Sequence, residues 1–321
     1  MRRRVAIAAA AAGAGAWAGA SWILARSLAR RLISAGGVTP CEASREGLLS
    51  GLAAAGARVH DFRFTGSPRT SDELSAVLAT PAAGRSSRTI VFLHGKGGSA
   101  AEWEPDAVRA VALGYNAILP DLRGHRPSGG DFVTYGLLER EDLAAAVRTA
   151  EERFGLDASR LAAHSCSAGS STALVWAADE PRVRGLWLES PFADAREMAR
   201  HYLGILTGLP RFALGLTTTF AVRRALASLS AALDVTPEEI LASDPIRAAA
   251  RIHVPVFVVF GAEDRLAPPR FTERLAEALP PDTTFWNPAG AGHCHHADEP
   301  QKMNEREYLE RWRGFFARVL D

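Results

Sequence analysis

The stretch from Leu161 to Leu174, LAAHSCSAGSSTAL, constrains the rest of the chain more than any other. A short apolar run enters it, small residues crowd its middle, and an Ala/Leu-rich segment of helical character leaves it. That is the signature of a strand, a tight turn and a helix, with a serine at the apex. So sharp a reversal needs small side chains two residues either side of the apex, because strand and helix approach each other closely there. In Ser165-Cys166-Ser167-Ala168-Gly169 the apex is Ser167, the candidate nucleophile. Ser165 stands where glycine is usual, and serine is less at ease than glycine in a strained backbone. The shifted register, with Ser165 at the apex between Ala163 and Ser167, fits less well, because only the Ser167 register places a glycine after the turn. A serine-rich helix cap without chemistry is the bland alternative. The remainder of the chain has to decide between them.

At 321 residues with 47% hydrophobic side chains, the chain can bury one large core, and α/β folds reach this size as one domain. A net charge of +1 gives no sign of a nucleic-acid or acidic partner. Cys41, Cys166 and Cys294 are too few and too scattered for a disulfide framework or a cysteine-based zinc site. The compartment is therefore read from the N-terminus, where Met1-Arg2-Arg3-Arg4 precedes 21 uncharged residues, Val5 to Ala25. That length fits a retained transmembrane helix that would join the chain to a membrane, although alanine and glycine make the span only weakly apolar. Ala18-Gly19-Ala20 also fits cleavage as a secretory signal. Arginines lie on both sides of the span. The Arg2 to Arg4 cluster favours the amino terminus inside and the rest outside the cytoplasm. The expected organisation is an anchor or signal over 1–25, a basic, partly helical connector over 26–58, and one catalytic domain over 59–321.

Along that domain, Val59 to Phe64 alternates and Leu74 to Ala79 follows after a turn, which predicts an antiparallel hairpin. Thr89-Ile90-Val91-Phe92-Leu93 is a continuous apolar run, as in a strand buried on both faces. It ends in His94-Gly95-Lys96-Gly97-Gly98, a glycine-rich loop without the spacing of a phosphate-binding loop. The better reading is an oxyanion loop, with the backbone N–H of Lys96 joining that of Ala168 to stabilise a tetrahedral intermediate. His94 reads as a packing residue that orients this loop. Ala101 to Leu113 predicts a helix, Asn116 to Pro120 a strand, and Leu138 to Phe154 an amphipathic helix. Asp121 and Arg123, in the loop after that strand, read as a structural ion pair.

These motifs stand in order. The segments Asp121-Leu122-Arg123-Gly124-His125 and Thr134-Tyr135-Gly136 with Glu139 and Asp142 come first, then the elbow, then Leu188-Glu189-Ser190-Pro191-Phe192. Together they resemble the α/β-hydrolase superfamily, in particular its membrane-anchored prolyl-oligopeptidase-like and serine-aminopeptidase-like bacterial members, from about Val59 to the C-terminus. The resemblance implies a mostly parallel central sheet with helices on both faces and a helical cap over about 193–251. It implies a catalytic acid just past the strand Val254 to Phe260, which is Asp264, with Glu263 as the local rival. It also implies a general base in the Gly290-Ala291-Gly292-His293 turn after a last strand at Thr283 to Trp286, which is His293.

A His293, His295 and His296 metal site is the rival reading of that tract, and it lacks helical ligand spacing and a defined further ligand. Cys166 and Cys294 read as small packing residues, with a disulfide between them left open and Cys166 as nucleophile disfavoured by its place before the apex. The expected chemistry is acyl transfer to water with no metal or organic cofactor, falling away in acid as the base is protonated. The expected substrate is a small-molecule ester, or a peptide-like compound as the alternative. An inactive binding protein on the same scaffold is the reading from another class. Nothing in the sequence sets the oligomeric state.

Overall fold

The computed structural model describes residues 2–35, 44–82, 86–192, 195–288, 290–294 and 305–321. Eight strands form one sheet: β1 (Ala57–Thr65), β2 (Glu73–Pro81), β3 (Arg88–Leu93), β4 (Asn116–Asp121), β5 (Arg160–Cys166), β6 (Val183–Glu189), β7 (Val256–Val259) and β8 (Thr284–Trp286). Their order is β1-β2-β4-β3-β5-β6-β7-β8. β1 pairs β2 and β2 pairs β4 antiparallel, and every other pair is parallel. This is the α/β-hydrolase fold.

The apolar runs become strands because both faces of the sheet are covered. Successive residues of β3 show it, since side chains alternate across a strand. Val91 and Leu93 enter one core layer, with α4 (Glu139–Phe154) and α5 (Ala168–Ala177). Ile90 and Phe92 enter the other, with α2 (Arg45–Ala54), α3 (Glu104–Ala112) and α11 (Glu305–Leu320). Between β6 and β7 the chain inserts α6 (Ala195–Thr207), a 3₁₀ turn (Arg211–Leu214), α7 (Gly215–Leu233), α8 (Pro237–Ala242) and α9 (Pro245–Ala249). These fall in the interval expected for the cap. α10 (Pro269–Ala276) follows β7.

Three findings depart from the sequence reading. First, the N-terminal stretch is one helix, α1 (Arg2–Ile33), which runs through the expected boundary at 25. Among the described residues no helix is long and apolar enough to cross a membrane, so the expected transmembrane span is corrected. α1 has the length, but alanine and glycine side chains carry too little apolar surface. Its C-terminal half packs on the insertion instead. Ala25 and Leu28 are buried with Leu203, Leu214 and Ala221, and Ala29 and Ile33 with Ala225, Leu229 and Leu233. Second, the expected connector supplies core: Leu48 and Leu52 on α2 are fully buried with Phe92 and Trp103. Third, Asp121 and Arg123 do not pair with each other. Arg45 bonds Asp121, while Arg123 makes a two-pronged ion pair with Asp142, Nε to Oδ2 at 2.7 Å and Nη2 to Oδ1 at 2.8 Å. Both remain structural, held from distant parts of the chain.

Candidate active site

β5 runs into Ser167, whose φ of 52° and ψ of −117° lie outside the regions that L-residues ordinarily occupy. Surroundings must impose such a conformation. The Ser167 N–H donates to the Glu189 carbonyl at 2.8 Å, and the Ser170 hydroxyl donates to the same oxygen at 3.1 Å. At Gly169 a Cβ would lie 2.4 Å from the Leu93 carbonyl oxygen and 2.6 Å from that of His94, so only glycine lets α5 pass so close to β3. Ser165 sits in extended backbone within β5, fully buried, its hydroxyl 3.2 Å from both the Trp187 carbonyl and the Ser170 hydroxyl. The position therefore needs a small residue but not glycine's freedom. It also cannot be the apex, because Ser167 alone of the two is partly exposed.

The loops after β7 and β8 bring Asp264 and His293 together. His293 Nδ1 donates to Asp264 Oδ2 at 2.8 Å, with the carboxylate buried and the imidazole partly exposed. Asp264 Oδ1 accepts the N–H groups of Leu266 at 2.9 Å and Ala267 at 2.7 Å. Burial opposes the charged form of Asp264, but the hydrogen bond and charge of His293, the Ala267 N–H and the Ser190 hydroxyl outweigh it. The carboxyl is held below its ordinary value. The structure gives Ser167 and His293 no hydrogen bond to each other. What joins their loops is a disulfide between Cys166 and Cys294, with Cα atoms 5.9 Å apart. The packing role expected for the two cysteines is thus corrected to the covalent alternative. A ring nitrogen of His293 lies within 4.8 Å of both sulfurs, but sulfurs bonded to each other are not thiolate ligands. His295 and His296 lie outside the described residues.

The loop after β3 abuts the elbow: a Cβ on Gly95 would lie 3.4 Å from that of Ser167. The Ala168 N–H opens α5, where a helix offers it no acceptor. Among the described residues the Lys96 N–H has no backbone partner. His94 holds the loop as expected, its Nε2 accepting the Leu122 N–H at 2.9 Å while Nδ1 donates to the Gly95 carbonyl at 2.8 Å. Beside Ser167, Ala168, Phe192, Ala267 and Phe271 form an apolar cluster with Tyr135 and Met198. A cavity of about 400 Å³ is lined by Gly97, Ser99, Asp121, His125 and Arg126, among others, and by none of Ser167, Asp264 or His293.

Sequence reasoning missed two groups here. Ser190, left-handed at φ 45°, bonds the Asp264 carboxylate and accepts the Cys294 N–H at 3.0 Å, so one hydroxyl holds both the acid and base loops. Its place in the Leu188–Phe192 motif was the available signal. The second is the side chain of Lys96, whose ammonium donates to the carbonyls of Arg31 and Leu32 at the end of α1. Tyr135 Oη donates to the Leu32 carbonyl at 2.6 Å, and the Val133 N–H to that of Ile33 at 2.8 Å. A cation suits a helix C-terminus, but burial, with the Arg31 guanidinium, lowers the Lys96 pKa to about 8. Between there and lysine's ordinary value of about 10.4 the unfolded chain holds the extra proton, so stability rises with pH. Thermal unfolding across that interval is expected to show this rise in the unmutated chain and not in Lys96→Met.

Fold and site together define a class: a mostly parallel sheet that presents a serine on a strand–helix elbow, with an acid and a histidine meeting at later strand ends. The alpha/beta hydrolase family matches residues 90–306, and the chain belongs to it. Among solved structures it is similar to an esterase from Pyrococcus furiosus, at 18% identity and TM-score 0.65, over 89% of this chain and 99% of that one. It is also similar to a puromycin-hydrolyzing peptidase from Mycobacterium tuberculosis, at 20% identity and TM-score 0.63, over 83% of this chain and 40% of that one. A third is the alpha/beta hydrolase GrgF from Penicillium sp. sh18, at 20% identity and TM-score 0.59, over 82% of this chain and 99% of that one. At these identities the likeness is one of fold. No curated protein matches the chain.

Proposed function

We propose that the protein is a serine hydrolase that cleaves carboxylic esters through an acyl-enzyme. The observation that carries this reading is the Asp264–His293 pair, held at 2.8 Å next to the Ser167 elbow. Neutral His293 takes the proton of Ser167 as its oxygen attacks the ester carbonyl. Asp264 keeps the Nδ1–H tautomer and steadies the imidazolium that forms. The N–H groups of Lys96 and Ala168 stabilise the oxyanion. His293 returns the proton to the leaving alcohol, water enters, and the same groups release the acid. The buried apolar cluster of Ala168, Phe192, Ala267 and Phe271 favours an apolar acyl group. The disulfide supports an oxidising setting, in keeping with a catalytic part outside the cytoplasm.

The test is a series of p-nitrophenyl esters of increasing acyl length beside aminoacyl p-nitroanilides. A kcat/KM for the best ester well above that of any anilide is the expected result. The reverse order establishes the peptidase or amidase reading. No turnover of either class leaves the inactive binding protein, a reading that rested on Ser165, which sits without strain in β5.

A further inference from the structure

Each of the two partners of the proposed proton transfer has a cysteine for a neighbour. Cys166 immediately precedes Ser167, Cys294 immediately follows His293, and the two sulfurs are bonded across 128 residues of chain. We propose that this disulfide is a positioning element of the site: it fixes the turn carrying His293 against the elbow carrying Ser167, so that opening it with a dithiol lowers turnover while substrate binding persists. The inference rests on the serine-hydrolase reading above.

The two ends of the bond are unequal. Cys166 is the last residue of β5, in the middle of the sheet and buried at 4% exposure, and it moves only if the elbow moves. Cys294 lies in a turn beyond β8, the three-residue strand at the sheet's end. Its backbone is left-handed at φ 55°, a conformation a non-glycine residue keeps only when its surroundings over-determine it. Two contacts do so: the disulfide, and the hydrogen bond from its N–H to Ser190. The turn before His293 is also tied by the Glu263 N–H on the Ala291 carbonyl at 3.0 Å, but among the described residues the ties at His293 itself and at its C-terminal neighbour are the bond to Asp264 and the two of Cys294. A ring nitrogen lies within 4.8 Å of both sulfurs, so slack in the bond is felt at the base itself.

A purely structural disulfide acts otherwise. Closing a long loop stabilises mainly by restricting the unfolded chain, and its loss lowers the melting temperature without altering a site that is still folded. Opening the bond needs one co-reactant, a dithiol. It gives two electrons and two protons to the sulfurs, leaving two thiols on the protein and a disulfide in the reductant. A displacement of reacting groups by about 1 Å can cost roughly a hundredfold in rate, so a fall in kcat of at least about tenfold is expected.

The experiment uses the full chain carrying Cys41→Ser, so that only this pair can titrate. In the oxidised form it must hydrolyse p-nitrophenyl esters and react with a fluorophosphonate; if it does neither, the hydrolase reading falls and this inference with it. Dithiothreitol is then added until two thiols per chain appear, at a temperature where circular dichroism shows the fold intact. The expected result is a fall in kcat and in fluorophosphonate labelling rate, with KM within about twofold and full recovery on reoxidation. The Cys166→Ser/Cys294→Ser variant should match the reduced form, and if it fails to fold the reversible reduction still decides. Two titrated thiols with an unchanged kcat would overturn the proposal, as would a loss that is confined to KM.

Discussion

Ser167→Ala is expected to abolish both ester turnover and fluorophosphonate labelling, and Ser165→Ala to keep both. Removing a nucleophile from an acyl-transfer triad costs on the order of 10⁵-fold or more in kcat, because the remaining groups can only orient water and bind the substrate. The fold should survive the change. Ser167 is tied to its surroundings through its backbone N–H, which alanine retains, and the close approach of α5 to β3 at Gly169 does not depend on the Ser167 side chain. Ser165→Ala acts on the other side of the ledger, removing a buried hydroxyl bonded to the Trp187 carbonyl and to Ser170. The Trp187 carbonyl then loses a donor, at about 1 kcal/mol, which a small drop in melting temperature registers. If activity instead follows Ser165, the register of the elbow is wrong and the assignment of Lys96 and Ala168 as oxyanion donors goes with it.

Much of the fold and of the candidate site is legible in the sequence, for physical reasons that differ by element. The inner strands declare themselves because a strand covered on both faces must be apolar throughout, as in Thr89 to Leu93 and Val254 to Phe260. The elbow, Asp264 and His293 are legible because each stands in a short, ordered motif at a strand end. What stayed hidden depends on partners far away in the chain. Spacing alone cannot tell that Cys166 and Cys294 meet, nor that Arg45 rather than Arg123 is the partner of Asp121. An alanine-rich helix is ambiguous in the same way: Val5 to Ala25 reads as a weak membrane span, and Leu28, Ala29 and Ile33 as part of a connector, until the insertion supplies the surface that Ala25 and these three pack against. α11 carries its own signal in the sequence. Tyr308, Trp312, Phe315, Phe316 and Leu320 recur at helical spacing and all are buried against the sheet.

A chain that begins at Ser44 is expected to be both less stable and less active than the full one. Losing α1 uncovers the face of α7 formed by Ala221, Ala225, Leu229 and Leu233, along with Leu203 and Leu214. On the α1 side alone, the burial of Leu28 and Ile33 is worth about 1.5–3 kcal/mol each, with less from Ala25 and Ala29. Some of that is offset by the entropy no longer spent in ordering the helix. A net loss of roughly 3–5 kcal/mol is large against the 5–15 kcal/mol that ordinarily separates folded from unfolded chains. It should appear as a fall in melting temperature on the order of 5–10 °C. The effect on activity follows a different route. Without Arg31 and Leu32, the Lys96 ammonium and the Tyr135 hydroxyl lose the carbonyls that hold them, and both flank the site. Lys96 is the residue whose N–H is proposed to meet the oxyanion, and loss of one such donor costs roughly 10²–10³ in kcat. A loosened loop should cost part of that, in kcat more than in KM. Equal melting temperatures and equal kcat for the two chains would show that α1 neither completes the fold nor braces the loop, and that the contacts at its C-terminal turn carry no energy.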